Sequence, residues 1–100
     1  MNFEIKIDRD AIPDIEDAID WYETQQVGSG IKFLVLLDEH IERLKSNPFL
    51  QVKYKNVRCL PLKSYPYMIH FTVDENSMIV IIRAVFNTHQ DPVLWRKRGI

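Results

Sequence analysis

Two histidines in the second half of the sequence are candidates for proton transfer, because the unperturbed pKa of imidazole is about 6.5. His89 lies in a polar corner, residues 87–91, that directly follows an apolar strand. It is a candidate acid or base, and the alternative interpretation is a solvated turn residue. His70 lies inside another apolar run and could act with His89 or be a half-buried strand residue. A third histidine, His40, is predicted to lie on a helix surface.

Arg83 interrupts the apolar segment from Met78 to Phe86. Burying an unpaired guanidinium is costly, so this side chain must reach solvent, a carboxylate or a ligand phosphate. An internal carboxylate such as Asp91 is one possible partner. A guanidinium placed on a phosphate would stabilise the charge that develops during its cleavage.

The sequence predicts neither a metal site nor another cofactor. The histidines lack the spacing of metal ligands, and Cys59 is the single cysteine. A lone cysteine in an apolar strand is usually a core residue, which makes Cys59 an improbable nucleophile. It cannot form an intrachain disulfide, which fits a reducing cytosol.

Length and hydropathy predict one domain spanning residues 1–100. The longest apolar run, Met78 to Ile82, is far shorter than the roughly 20 residues that cross a bilayer. We therefore expect a soluble, cytoplasmic protein without membrane contacts. Residues 1–50 carry a net charge of −6 and residues 51–100 carry +5, so one acidic and one basic face are expected.

The elements that position these side chains follow from hydrophobic periodicity. A short alternating strand around Phe3 precedes two amphipathic helices, of which the first has an acidic outer face and the second ends at Asn47-Pro48. Strands follow at Val57 to Leu62, Tyr67 to Val73 and Met78 to Phe86. The predicted fold class is α+β, with the order β-α-α-β-β-β and a short C-terminal helix. An antiparallel helical hairpin packs on one face of an antiparallel sheet, whose central strand is Met78 to Phe86.

A two-residue turn within 74–77 would place Ile69 opposite Ile82 and Met68 opposite Arg83. His70 and Arg83 would then be diagonal neighbours on the sheet face away from the helices. The sequence does not determine which sheet face Arg58 occupies, because the loop before Tyr67 has two plausible lengths.

Four segments in order resemble the RelE/ParE superfamily of toxins from type II toxin–antitoxin systems, and specifically its ParE-like, plasmid stabilisation branch. They are DIEDAIDWYE (14–23), GSGIKFLVLLDEHIERLKSNP (28–48), VRCLPLKSYPYMIHF (57–71) and AVFNTHQDPVLW (84–95). The resemblance covers nearly the whole chain. It implies a small toxin that a cognate antitoxin binds and neutralises, in a toxin–antitoxin hetero-oligomer.

The resemblance implies two different targets. RelE-like members cut messenger RNA on the ribosome, whereas ParE-like members inhibit DNA gyrase. RelE-like enzymes typically carry an arginine where Met68 stands, and ParE-like members often carry a histidine where Asn87 stands. RelE-like members also place basic residues just after the last strand, where this chain has Asn87-Thr88-His89-Gln90. The corner is therefore less basic than either branch favours.

We interpret the chain as a toxin that inhibits growth by binding an essential target such as DNA gyrase. The alternatives are a ribosome-dependent ribonuclease and a decayed toxin that only binds its antitoxin. In the ribonuclease, His89 or His70 would transfer protons, and Arg83 or Arg58, which matches a recurrent arginine of the family, would contact phosphate. The binding surface for target or antitoxin is expected at Arg83, His89, Trp95, Arg96 and Arg98, with Trp95 also anchoring the terminal segment.

Overall fold

The computed structural model describes residues 2–99 and contains five strands and three helices. In chain order they are β1 (Glu4–Ile7), α1 (Ala11–Gln25), α2 (Ser29–Leu44), β2 (Val52–Tyr54), β3 (Val57–Pro61), β4 (Tyr67–Asp74), β5 (Ile79–Asn87) and α3 (Val93–Lys97). The predicted α+β class and order are confirmed. β2 was not predicted: it is only three residues long, and its alternation of Val52, Lys53 and Tyr54 was missed.

The strands form one sheet in the order β1-β5-β4-β3-β2. β1 pairs with β5 in parallel, and the other neighbouring pairs are antiparallel, so the sheet is mixed instead of antiparallel throughout. The middle strand of the sheet is β4. The segment from Met78 to Phe86 was predicted to be the central strand, and this was wrong, because it forms β5, the neighbour of β4. No helix within residues 2–99 is long and apolar enough to cross a membrane.

A close helix–helix contact sets the hairpin formed by α1 and α2. A side-chain carbon at Gly30 would lie 2.8 Å from the carbonyl oxygen of Ile19, so glycine is required there. The Glu23 carboxylate accepts the backbone N–H groups of Gly28 and Gly30 at 3.0 Å, which satisfies donors at the start of α2. The hairpin buries its apolar side against one sheet face, in a core that includes Phe33, Leu37, Ile69, Phe71, Val80 and Ile82.

The predicted register between β4 and β5 was wrong, for two local reasons. Asp74 pairs with Ile79, so the loop is four residues long, and it includes Met78 in the left-handed region at φ 57°. Further along, Phe71 pairs with Ile82 and His70 with Ala84, which leaves Arg83 as the extra residue of a β-bulge.

These two irregularities preserve the predicted faces, although they change the pairing. Ile69 pairs with Val85 and Met68 with Phe86, instead of with Ile82 and Arg83. His70 and Arg83 both lie on the sheet face away from the helical hairpin, as predicted. They are not packed as a diagonal pair, because His70 lies beneath α3 while Arg83 extends along the sheet to Thr72.

Candidate functional site

A buried polar cluster lies beneath α3, on the sheet face opposite the helical hairpin. The ring nitrogen Nδ1 of His70 is 3.0 Å from the hydroxyl of Tyr54 and 3.4 Å from Sγ of Cys59. Trp95 closes the cluster, stacking on Tyr54 at 5.5 Å between ring centroids and meeting His70 edge-on at 4.7 Å. The predicted anchoring role of Trp95 is therefore confirmed.

Burial sets the protonation states of this cluster. Desolvation, with a smaller contribution from the Arg98 charge, lowers the pKa of His70 to about 4. Desolvation also raises the pKa of Tyr54 to about 12 and that of the Cys59 thiol to about 11. At neutral pH both side chains are therefore neutral, and Tyr54 and His70 share a hydrogen bond whose direction follows the tautomer of His70. Nε2 of His70 and Nε1 of Trp95 are buried without a hydrogen-bond partner in residues 2–99. While α3 is in place, His70 cannot meet a substrate.

Arg83 is held by the N-terminal part of the chain. Its guanidinium forms an ion pair with Asp8 at 3.0 Å, and its Nε donates to the hydroxyl of Thr72 at 3.0 Å. A backbone N–H of Asp10 and the Arg83 guanidinium lower the pKa of Asp8. The expected carboxylate partner is therefore present, but it is Asp8, because β1 runs beside β5. Asp91 instead accepts the backbone N–H of Val93 at 2.9 Å, at the start of α3.

Arg98 forms the least exposed of the ion pairs among residues 2–99. Its two terminal nitrogens bind the two carboxylate oxygens of Asp14 at 2.7 and 3.1 Å. The same carboxylate accepts the backbone N–H of Val85 at 3.1 Å, so it joins α1, β5 and α3. The hydrogen bond to Asp14 raises the pKa of Arg98 further. Sequence reasoning placed Asp14 only on the acidic outer face of α1, since nothing local signals a partner so far along the chain.

The remaining basic candidates lie apart from this pair. Arg58 pairs with Phe71 across β3 and β4, which puts it on the face of the helical hairpin, opposite to His70 and Arg83. Its guanidinium lies 5.3 Å from the ring centre of Phe49. Arg96 and Lys97 are exposed on α3.

His89 lies in the exposed corner after β5. The corner is folded by Asn87, whose side-chain oxygen accepts the backbone N–H of His89 at 2.8 Å. Beside it are two cavities of about 410 and 340 Å³ that share Trp21, Tyr67 and Asn87. We call these two adjoining cavities the corner groove; its other lining residues include Asp17, Tyr22, Pro66 and His89.

The prediction that His40 would be exposed was wrong. Its ring is buried between α2 and the segment after β3, with Nδ1 2.8 Å from the carbonyl oxygen of Leu36. Nε2 accepts the backbone N–H of Lys63 at 3.2 Å. His40 is thus a structural link between a helix and a loop.

The described residues do not assemble the catalytic set that the ribonuclease alternative requires. His70 is buried, Arg58 is on the other face, and Arg83 is paired with a carboxylate. His89 is accessible but stands beside the aromatic corner groove. No group of three potential metal ligands occurs within residues 2–99. The arrangement can therefore present a contact surface more readily than a cleavage site.

Comparisons with known proteins agree with this architecture. The family model described as the ParE toxin of the type II toxin-antitoxin system parDE matches residues 5–92. No curated protein sequence matches significantly. Among solved structures, the chain is similar to a chromosomal ParDE toxin–antitoxin system from P. aeruginosa, with a TM-score of 0.74 and 20% identity, covering 85% of this chain and 95% of that one.

Two further structures share the fold. One is the toxin–antitoxin complex RelBE2 from Mycobacterium tuberculosis, with a TM-score of 0.62 and 10% identity over 87% of this chain and 99% of that one. The other is an arginine-to-alanine double mutant of the E. coli toxin RelE in the free state. It has a TM-score of 0.69 and 16% identity over the full length of both chains.

Proposed function

The chain belongs to the ParE toxin family of type II toxin–antitoxin systems, and on this premise we propose that it inhibits growth by binding DNA gyrase and is neutralised by a cognate antitoxin. It would act in the cytoplasm, where gyrase is found. Relatives with this fold include a ParDE system and a RelBE2 toxin–antitoxin complex, which supports an antitoxin as the partner of this chain as well.

The choice of target rests on one observation: Arg83 and Arg98, on the sheet face away from the helical hairpin, are both held in ion pairs. Arg83 is bound to Asp8 and Arg98 to Asp14, so neither guanidinium is available to a phosphate without breaking an ion pair. In the ribonuclease alternative, Arg83 or Arg58 would have to be free to bind phosphate beside an accessible histidine. Inhibition by surface contact needs neither, and the exposed Arg96 and Lys97 on α3 remain available to an acidic partner surface.

The test is a supercoiling assay with purified DNA gyrase and relaxed plasmid. The protein is expected to block supercoiling, and the double variant Arg96→Ala/Lys97→Ala to lose most of this inhibition. Lys63→Ala, an exposed cation in the loop after β3, is the matched control and should inhibit like the parent protein.

The other two interpretations give different results. Normal supercoiling together with cut messenger RNA on ribosomes would replace the gyrase proposal with the ribonuclease, and His89→Ala combined with Arg83→Ala should then abolish cutting. Normal growth when the chain is produced without antitoxin would identify a decayed toxin that retains only antitoxin binding.

A further inference from the structure

Trp21 is the exposed aromatic side chain of the corner groove, whereas the two tyrosines that line it, Tyr22 and Tyr67, also pack against the core. Trp21 is 55% exposed, although a tryptophan on an amphipathic helix is ordinarily a core residue. Its ring contacts Tyr22 edge-on at 5.0 Å between centroids. The indole lines both cavities of the groove, which measure about 340 and 410 Å³ and also share Tyr67 and Asn87. An extended peptide segment can occupy both cavities at once.

The charge around the groove is negative. Helix α1 carries five acidic residues and no lysine or arginine: Asp14, Glu16, Asp17, Asp20 and Glu23. Asp14 is neutralised by Arg98. Asp17 also lines the groove but enters no ion pair within residues 2–99, so its carboxylate is the free charge at this site.

Asp17 and Trp21 are four residues apart and therefore lie on the same side of α1. A guanidinium can stack on an indole face and bind a carboxylate through two hydrogen bonds, which an ammonium cannot do in the same geometry. A nucleic acid is disfavoured, because its phosphates would approach an acidic helix.

From these observations we infer that the corner groove is the docking site for an extended segment of the antitoxin, with an arginine side chain lying on Trp21 and paired with Asp17. This inference rests on the proposed function, since it requires a protein partner that binds the toxin. Residues flanking that arginine would contact Pro66 and Tyr67, which form the apolar wall of the groove.

The probe is a blocked pentapeptide with one central arginine and two alanines on each side. It is titrated into the isotope-labelled full chain while the two indole N–H resonances, of Trp21 and Trp95, are followed by NMR. The Trp21 resonance should move and saturate, while that of Trp95, which lies in the cluster beneath α3, stays in place. The same peptide with citrulline, which has the shape of arginine but no charge, should bind about fivefold more weakly, the order expected for one exposed charge pair.

Two variants on the same helix separate this site from the general acidity of α1. Asp17→Asn should weaken binding of the arginine peptide about fivefold, whereas Glu16→Gln, an equal change of charge at another exposed position, should change it by less than about twofold. Trp21→Leu should remove the saturable shifts of the Asn87 and His89 amides.

Absence of a saturable shift, equal binding of the two peptides, or equal effects of the Asp17 and Glu16 variants would overturn the inference. Preferential movement of the Trp21 resonance by an oligouridylate would also overturn it, in favour of a nucleic-acid site. The gyrase and growth assays contain no peptide, so they test the proposed function separately from the docking site. If the arginine peptide binds but supercoiling is unaffected, gyrase is rejected as the target and the docking site in the corner groove is retained.

Discussion

His70 and His89 are the same residue type in opposite surroundings, the first within β4 and the second just beyond the end of β5. His70 lies beneath α3 with its ring enclosed by Tyr54, Cys59, Phe86 and Trp95. His89 stands exposed at the corner, next to the aromatic groove. The difference comes from the short C-terminal helix α3. It covers His70, whose imidazole is structural, and it leaves the imidazole of His89 available to a partner.

The largest expected difference between the two histidines is in the free energy of unfolding that is lost when each ring is replaced by alanine. His70→Ala removes a fully buried side chain and leaves the Tyr54 hydroxyl without its hydrogen-bond partner, so we expect a loss of about 4 kcal/mol in the free energy of unfolding. His89→Ala should change it by less than about 0.5 kcal/mol, as is usual at exposed positions. Urea unfolding of both variants measures the difference. Similar losses in the two variants would mean that α3 does not enclose His70 in solution.

The next effect is a dependence of stability on pH. The pKa of His70 is lowered to about 4 in the folded chain, so below the unfolded value of about 6.5 the unfolded state binds a proton that the folded state does not. The contribution of His70 is therefore complete above pH 6.5 and is lost as the pH falls toward 4. We expect a decrease of about 3 kcal/mol across this window from this residue. Asp8 reduces the free energy of unfolding only at lower pH. Its pKa is lowered in the folded chain, so its stabilising contribution is lost as its carboxylate takes up a proton.

The measurement is urea unfolding at several pH values for the parent chain, His89→Ala and His70→Phe. His89→Ala should keep the decrease, and His70→Phe, which cannot take up a proton, should flatten it. An unchanged slope in His70→Phe would assign the pH dependence to other groups.

A smaller difference is expected between the two ion pairs that flank the cluster. The side chains of Arg98 and Asp14 are 21% and 14% exposed, against 33% and 27% for Arg83 and Asp8. Asp14→Ala also leaves the Val85 N–H without its acceptor, so it should cost about 2 kcal/mol, whereas Asp8→Ala should cost about 1 kcal/mol. Double-mutant cycles with Arg98→Ala and Arg83→Ala measure the two coupling energies. A larger coupling for the Asp8 pair would reverse the ranking.

The smallest effect concerns the corner itself. Asn87→Ala removes the acceptor of the His89 N–H, and we expect a loss of about 0.5 kcal/mol with faster hydrogen exchange confined to the corner. Hydrogen exchange followed by NMR gives both results, with Glu75→Ala in the exposed β4–β5 loop as the control. Faster exchange at the His70 amide as well would show that the corner and the cluster beneath α3 open together.

Hydrophobic periodicity was sufficient to predict both long helices, four of the five strands and the fold class, because each element buries one continuous apolar side. The register of β4 and β5 was not predictable, because it depends on Met78 in a left-handed conformation and on a bulge at Arg83. The partners of Arg83 and Arg98 depend on contacts across most of the chain, with Asp8 and Asp14. Only the tertiary structure brings such residues together. For the same reason, the burial of His40 and the sheet face of Arg58 could not be predicted from the sequence.

The parallel pairing of β1 with β5 has a consequence for the order in which the fold forms. Glu4 and Ile7 pair with Ile79 and Ile82, which lie far along the sequence from them. Two segments so distant lose much chain entropy before their pairing stabilises the fold, so this step is slow relative to a helical hairpin, which forms from contacts close in sequence. We therefore expect α1 and α2 to form early and β1 to join the sheet late.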